Sequence, residues 1–335
     1  MSWKVLVTAP AVHQAGGPAL EILRGAGCET VVSVRPGPLD PEELLGQLQG
    51  ADAVLASVDR YSADVLTSAA TARLKILSRW GVGYDAIDVA AATRQGVVVT
   101  NTPGVLDEAM ADYTFALLLA LARRVHEGHL NMRSGGWRQA WGVDVSGKTL
   151  GIIGYGRIGR AVARRAMAFN LRVLVHTRTV RPEMEQPGIR FVTLDELLAG
   201  SDFVSVHAAL TAENSGMIGE SQLRRMRRTA YLVNTARGAL VEEAALLRAL
   251  QEGWLAGAAL DVYSVEPLPV EHPFRTTPNL LLTPHQGTSS RETAERIGAM
   301  AAQAIVDLMQ GRRPAHVLNP EIFESPALRA RLVSA

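Results

Sequence analysis

GIIGYGRIGRAVARRAMAFNLRVLVHTRTVRP, residues 151–182, is the stretch that decides the fold. A short apolar strand runs into Gly154, Gly156 and Gly159 at G-x-G-x-x-G spacing. An Ala/Arg-rich helical pattern follows, and then a second strand from Leu171 to His176. Strand, tight turn, helix and strand in that order make a dinucleotide-binding unit. Gly154 permits the turn, Gly156 lets the backbone approach a pyrophosphate, and Gly159 lets helix and strand pack closely. The helix start at Arg157 and Ile158 then offers N–H groups and a positive dipole end to the phosphates.

The end of the second strand carries the cofactor choice. An NAD-type unit places a carboxylate there to hold the ribose hydroxyl, yet no Asp or Glu occurs between Gly159 and Glu183. The chain delivers His176, Thr177, Arg178, Thr179 and Arg181 instead. A carboxylate would repel a 2′-phosphate, whereas arginines pair with it and hydroxyls hydrogen-bond it. The expectation is therefore NADP(H) as the preferred cofactor, with NAD(H) possible.

Outward from this unit, β-like runs alternate with helical patterns along all 335 residues. KVLVT (4–8), TVVSV (30–34), AVLAS (53–57), LKILS (74–78) and VVVTN (97–101) form one set. LGIIG (150–154), LRVLVH (171–176), FVSVH (203–207), YLVNT (231–235), AGAALDV (256–262) and NLLLT (279–283) form another. Continuous Val/Ile/Leu strands separated by helices read as parallel sheets covered on both faces. The predicted fold class is α/β, with two doubly wound parallel-sheet domains. A Rossmann domain at 103–286 is inserted into a flavodoxin-like substrate domain made of 1–102 and 287–335. NTPG (101–104) ends the fifth strand, and the helix after it has Asp107 and Glu108 in its first turn and Arg123 and Arg124 in its last, as the macrodipole favours. A second long helix runs from about Arg291 to Met309.

Composition narrows the partners. Lys plus Arg number 34 and Asp plus Glu 33, a net charge of +1, so no one-signed field recruits nucleic acid or a membrane surface. The run Val105 to Ala122 carries Asp107, Glu108 and Asp112 and reads as a buried helix rather than a span. The single cysteine, Cys28, fits a reducing compartment, and MSWKVLVTAP is too short an apolar run for a signal peptide. Together these predict a cytoplasmic protein. GVDVSGKT (142–149) matches a triphosphate P-loop, but a strand follows it rather than precedes it, which leaves Lys148 in an ordinary turn. His126 and His129 lack further ligands, so no metal is expected. Arg224, Arg225, Arg227 and Arg228 read as a solvated turn.

Three separated polar groups complete the picture: Arg237 in NTARG, Glu266 in DVYSVEP, and His285 at the end of NLLLTPH. Each follows a predicted strand, and loops at the carboxyl ends of parallel strands line the ligand crevice. A carboxylate that meets a histidine fixes its tautomer and favours its protonated form. An arginine beside them holds an anionic substrate. The set suits protonation of a carbonyl oxygen while hydride arrives on carbon.

The blocks SRWGVGYDAID (78–88), NTPG with its helix, GKTLGIIGYGRIG, VNTARGALVEEAALLRAL, ALDVYSVEPLP and NLLLTPH occur in an order and spacing that resemble the D-isomer-specific 2-hydroxyacid dehydrogenase family, over nearly the whole chain. The resemblance implies His285 as general acid/base, Glu266 as its partner and Arg237 as the substrate-orienting residue. It implies Asp261 on the nicotinamide carboxamide, and backbone N–H groups of Gly81, Val82 and Gly83 on the substrate carboxylate. It adds His207, Ala208, Thr235, Ala236 and Gly287 to the cofactor contacts, and a homodimer formed through the helix starting near Val105. The implied activity is reduction of small 2-oxo acids, closest in pattern to glyoxylate/hydroxypyruvate reductases. A 3-phosphoglycerate or bulky 2-oxo acid enzyme of the same fold is the alternative, with Tyr61, Trp80, Trp137 and Trp141 as candidate pocket walls. A nicotinamide-nucleotide sensor is a further alternative. Two departures stand out: HAAL (207–210) lacks the family's usual proline at Ala209, and Gln286 follows the histidine where a small or apolar residue is usual.

Overall fold

The computed structural model describes residues 2–9, 12, 17–33, 38–184 and 186–333. Met1, Pro10 and Val34, at the ends of the expected MSWKVLVTAP and TVVSV stretches, lie outside them. The chain divides into two compact units, Met1–Leu106 with Ser289–Ala335, and Asp107–Thr288. Both crossings lie a few residues beyond the Thr102 and Gln286 positions suggested by the sequence.

The first unit holds β1 (Lys4–Val7), β2 (Glu29–Val32), β3 (Ala53–Ala56), β4 (Ile76–Arg79) and β5 (Val98–Thr100), in the order β2-β1-β3-β4-β5. Every pairing is parallel. This is the flavodoxin-like arrangement. Residues paired directly across neighbouring strands share a face, so Leu6, Val54 and Leu77 bury together against Leu44, Leu48 and Leu66. The helix Arg291–Met309 packs on the helix Gly17–Gly25 and on β3 and β4. Gly298 makes that approach possible, since a Cβ there would lie 2.7 Å from the Trp80 ring. Trp80 and Tyr61 are thus core residues of this unit.

The C-terminal residues seal the edge of this sheet. Thr100 and Val317 form an antiparallel bridge beside β5. Asn319, fully buried, accepts from Val99 N at 2.9 Å and donates to Val97 O and Thr93 Oγ1. An open parallel edge would otherwise present unpaired backbone groups.

The second unit holds β6 (Thr149–Ile153), β7 (Arg172–His176), β8 (Ile189–Phe191), β9 (Phe203–Val206), β10 (Tyr231–Asn234), β11 (Gly257–Leu260) and β12 (Leu280–Leu282). Their order is β12-β11-β10-β9-β6-β7-β8, all parallel. This is the Rossmann order with one more strand than the sequence reading contained. β8 went unread because only three residues, IRF, follow Pro187 and Gly188, too few to show a period. The strand order reverses between β6 and β9, and such a switch point is where ligands bind in open α/β sheets.

The helix after NTPG runs Asp107–Ala122 and stops before Arg123 and Arg124, a correction to the predicted last turn. Arg124 takes a left-handed φ of 50° and starts a second helix, Val125–Arg133. The apolar length of the first helix is consumed inside the unit, against the helix Arg157–Ala168 and strands β10 and β11. Its first-turn acid Glu108 pairs with Arg164 and Arg165. Three arginines of the basic run are likewise committed, Arg224 to Glu220, Arg225 to Asp195 and Arg227 to Asp202. Lys148 N bonds to Val145 O in a turn that leads into β6. Among the described residues, no helix is long and apolar enough to cross a membrane, and no group of three or more His, Cys, Asp or Glu is placed to hold a metal.

Candidate active site

The three fingerprint glycines do three different jobs. Gly154 follows β6 with φ +97°, and a Cβ there would sit 2.6 Å from Ala208 N and His207 C. No side chain fits between the two loops that meet at the switch point. At Gly159 a Cβ would lie 2.2 Å from Gly154 O, so the helix Arg157–Ala168 packs directly on the turn. Around Gly156 nothing lies within 4 Å; the backbone there is open to a ligand. The first hydrogen bond of the helix is Arg160 N to Gly156 O at 3.0 Å, which leaves the N–H groups of Arg157, Ile158 and Gly159 without an acceptor among the described residues. Free N–H groups at a helix start, beside an open glycine, fit a dinucleotide pyrophosphate.

At the end of β7, His176 Nδ1 lies 3.3 Å from Val192 O. Thr177 is half-buried, and Arg178, Thr179 and Arg181 are exposed. Two acids stand near the arginines: Glu183 Oε1 is 3.9 Å from Arg181 Nη1, and the Arg178 charge is felt at Glu213. Neither belongs to the strand end itself. After β9, His207 Nε2 lies 2.8 Å from Ser205 Oγ. Burial pushes His207 down to about 4, so it is neutral at physiological pH.

The loops after β10, β11 and β12 carry the candidate groups Arg237, Glu266 and His285. Gly238 controls the approach of the first two loops: a Cβ would fall 2.0 Å from Tyr263 C. Arg237 is thereby carried towards the loop that bears Glu266. Its backbone is set by Asn234, whose Nδ2 donates to Arg237 O at 2.8 Å and whose Oδ1 accepts from Ala236 N at 3.0 Å. Thr235 Oγ1 meets Thr114 Oγ1 at 3.2 Å. His285 Nδ1 lies 2.6 Å from Glu266 Oε2. An ionised carboxylate only accepts, so Nδ1 carries the proton and Nε2 is left for other chemistry. Burial would raise the Glu266 carboxyl, but the His285 hydrogen bond and charge, the Tyr263 N–H and the Arg237 charge outweigh it and hold it below the ordinary range.

Asp261 is committed to the loop that bears the histidine. At 1 % exposure it accepts from Thr283 Oγ1 at 2.7 Å, Gln286 N at 2.9 Å and Gly287 N at 2.8 Å. These three donors flank His285, which has φ 49°, a conformation that costs a non-glycine residue energy unless its surroundings enforce it. Gly287 spends its N–H on Asp261, and a Cβ there would meet Met110 at 2.8 Å. Gln286 extends from the same turn to Tyr113 Oη, 2.9 Å away. Thr283 and Tyr113 were not singled out in the sequence; a threonine two residues before the histidine carries no signal of its own.

In the first unit, Gly81 has φ +126° and its N–H goes to Thr102 Oγ1 at 3.0 Å, so it is not open to a ligand. Val82 and Gly83 are half-buried. Trp137 and Trp141 stand at 85 % and 84 % exposure in the second unit, and so wall no pocket of their own unit.

A Rossmann sheet with a paired histidine and carboxylate beyond its switch point, and an arginine charge felt by that carboxylate, defines a nicotinamide-dependent oxidoreductase of hydroxy acids. Residues 115–287 match the model of the D-isomer specific 2-hydroxyacid dehydrogenase NAD binding domain. The chain is 45 % identical over 295 residues to a glyoxylate reductase of Korarchaeum cryptofilum, covering 86 % of this chain and 88 % of that one. It is 46 % identical over 294 residues to a glyoxylate reductase of Aeropyrum pernix, covering 84 % and 87 %. The crystal structure of a glyoxylate reductase from Paecilomyes thermophila superimposes with a TM-score of 0.82 at 33 % identity, over 96 % of this chain and 99 % of that one. The protein belongs to the D-isomer-specific 2-hydroxyacid dehydrogenase family, and its cofactor is a nicotinamide dinucleotide.

Proposed function

We propose that this enzyme reduces glyoxylate and hydroxypyruvate to their 2-hydroxy acids and prefers NADPH. The observation that carries the chemistry is the 2.6 Å contact between His285 Nδ1 and Glu266 Oε2. The bound nicotinamide supplies hydride to the 2-oxo carbon. His285 gives the proton on Nε2 to the oxygen, and Glu266 keeps the imidazolium charged and oriented until it does. Arg237 polarises the carbonyl and orients the acid through charge-assisted hydrogen bonds. The loop Gly81–Gly83 receives the carboxylate, through the N–H groups of Val82 and Gly83 rather than that of Gly81. In the oxidative direction His285 takes the hydroxyl proton instead. Small 2-oxo acids are favoured as substrates by the relatives named glyoxylate reductases.

The cofactor preference rests on the end of β7, where Arg178 and Arg181 stand without a strand-end carboxylate. We also place the enzyme in the cytoplasm, in keeping with one buried free cysteine, and as a homodimer. The dimer surface shifts from the helix near Val105, whose apolar side chains are buried within the unit, to the segment after it. Val125, Leu130, Met132, Trp137 and Trp141 expose their side chains within 17 residues of chain, a concentration typical of interfaces. Light scattering after size exclusion reads the mass directly, and a 35.9 kDa particle would refute the dimer.

Initial rates of NADPH and NADH oxidation with glyoxylate, hydroxypyruvate and phenylpyruvate test the main proposal. Faster turnover of a small acid with NADPH is the expected result. A clear NADH preference reduces the arginines to surface residues, and phenylpyruvate as the best substrate points to the bulky-acid alternative.

A further inference from the structure

The loop that follows β4 has an unusual distribution of hydrogen bonds. All four of its carbonyls, from Trp80 to Gly83, are taken. Gly81 O accepts from Thr102 N at 3.1 Å, and Val82 O from Asn101 Nδ2 at 2.9 Å. The other two, Trp80 O and Gly83 O, both accept from the side chain of Arg79, through Nη1 and through Nε at 3.0 Å. The N–H groups divide differently. Trp80 N goes to Ala56 O at 2.8 Å and Gly81 N to Thr102 Oγ1, while Val82 N and Gly83 N meet no acceptor among the described residues. Carbonyls held on one side and two adjacent N–H groups left over make an anion receptor.

Arg79 is the last residue of β4 and only 8 % exposed. Its guanidinium lies directly against the loop: a Cβ on Gly81 would be 3.3 Å from Nη1. The planar fork projects two donors at fixed spacing, so one side chain holds the first and last carbonyls together. An ammonium on a flexible stem has no such geometry. Burying a guanidinium costs free energy unless its donors are used, and here two of them are spent on shaping this loop.

We propose that Arg79 is the positioning residue of the substrate-carboxylate receptor. It clamps the two ends of the loop through the carbonyls of Trp80 and Gly83, so that the Gly81 and Val82 carbonyls, which lie opposite the Val82 and Gly83 N–H groups across their peptide planes, stay on Thr102 N and Asn101 Nδ2. The inference rests on the reading of this loop as the carboxylate site, and deepens it: Arg79 acts on the acid through the backbone, without touching it.

Three variants separate the two ideas. Arg79→Met, Arg79→Lys and Val82→Pro are compared with the parent for reduction of glyoxylate and of glyoxal, a neutral analogue without the carboxylate. Cofactor binding is read by nicotinamide fluorescence, and circular dichroism reports the fold. Arg79→Met raises the glyoxylate KM roughly ten- to hundredfold while the kcat/KM for glyoxal and the cofactor Kd stay within about twofold of the parent, a margin below the usual effect of one hydrogen bond. Arg79→Lys, which reaches one carbonyl at most, falls between. A general structural defect would lower both substrates alike and overturn the proposal. An unchanged glyoxylate KM in Arg79→Met, with a raised one in Val82→Pro, removes Arg79 but keeps the loop. Val82→Pro with an unchanged KM removes the loop reading, and Arg79 with it. Should Arg79→Met fail to fold, Arg79→Lys decides, since an unaltered KM there is equally fatal.

Discussion

Glu266 and Asp261 lie in the same loop after β11 and bear on the same histidine by different means. Glu266 works by charge. Its carboxyl is held below the usual 4.5, so its pairing with His285 contributes fully above that value and is lost as pH falls through the lower folded one. On the acid side, reduction declines once Glu266 is protonated and no longer accepts from His285. Glu266→Gln removes the group that titrates there, so the acid limb of kcat should be lost together with much of the rate; an unmoved limb would refute the pairing. Asp261 works by geometry. Asp261→Asn leaves at least one of the donors Gln286 N, half-buried, and Gly287 N, buried, unsatisfied, at a cost of about 1–3 kcal/mol. It should lower kcat by loosening the φ 49° turn of His285, with little movement of the pH limb. That contrast, in one set of pH–rate curves, tells a charge partner from a scaffold. The three candidate side chains could be named because each follows a strand in a recognisable block. The role of Asp261 in the turn could not, since a carboxylate that binds a backbone 25 residues away in sequence leaves no local pattern.

The elements were read from period and punctuation, and the misses have the same origin. β8 has three residues and no period, and Arg124 breaks a helix that charge placement alone would extend. β7 is the element on which the cofactor choice turns. On the proposed NADPH preference its outward end would offer Arg178 and Arg181 to a 2′-phosphate, and Glu183 and Glu213 also draw on those charges. Arg178→Ala with Arg181→Ala should raise the NADPH KM by roughly tenfold or more, the usual worth of a charge-assisted contact, and leave the NADH KM nearly unchanged. Equal effects on both cofactors would show that the arginines serve the loop alone. Spacing revealed the missing strand-end acid. It did not reveal the compensating ones, which come from elsewhere in the chain.

At the scale of the molecule, the first unit is built from both ends of the sequence, and Asn319 is the side chain that ties the second end to β5. Asn319→Ala strands the buried Val99 N–H and Val97 carbonyl and takes one donor from Thr93 Oγ1. A loss of about 2 kcal/mol should bring the melting of that unit down by roughly 4–8 °C, and cofactor titrations at room temperature should be unaltered. Calorimetry checks the first part and fluorescence the second; a variant with the parent's melting profile would show that the tail is held elsewhere. The discontinuity also sets an order of events during synthesis. The five strands of the first unit leave the ribosome early, but the helix that covers β3 and β4 starts only at Arg291. At ordinary elongation rates the sheet waits roughly 10–40 s for it, long enough for the intervening Rossmann unit to fold first. During that interval the face meant for the Arg291–Met309 helix is bare, and a nascent-chain chaperone is its natural temporary cover.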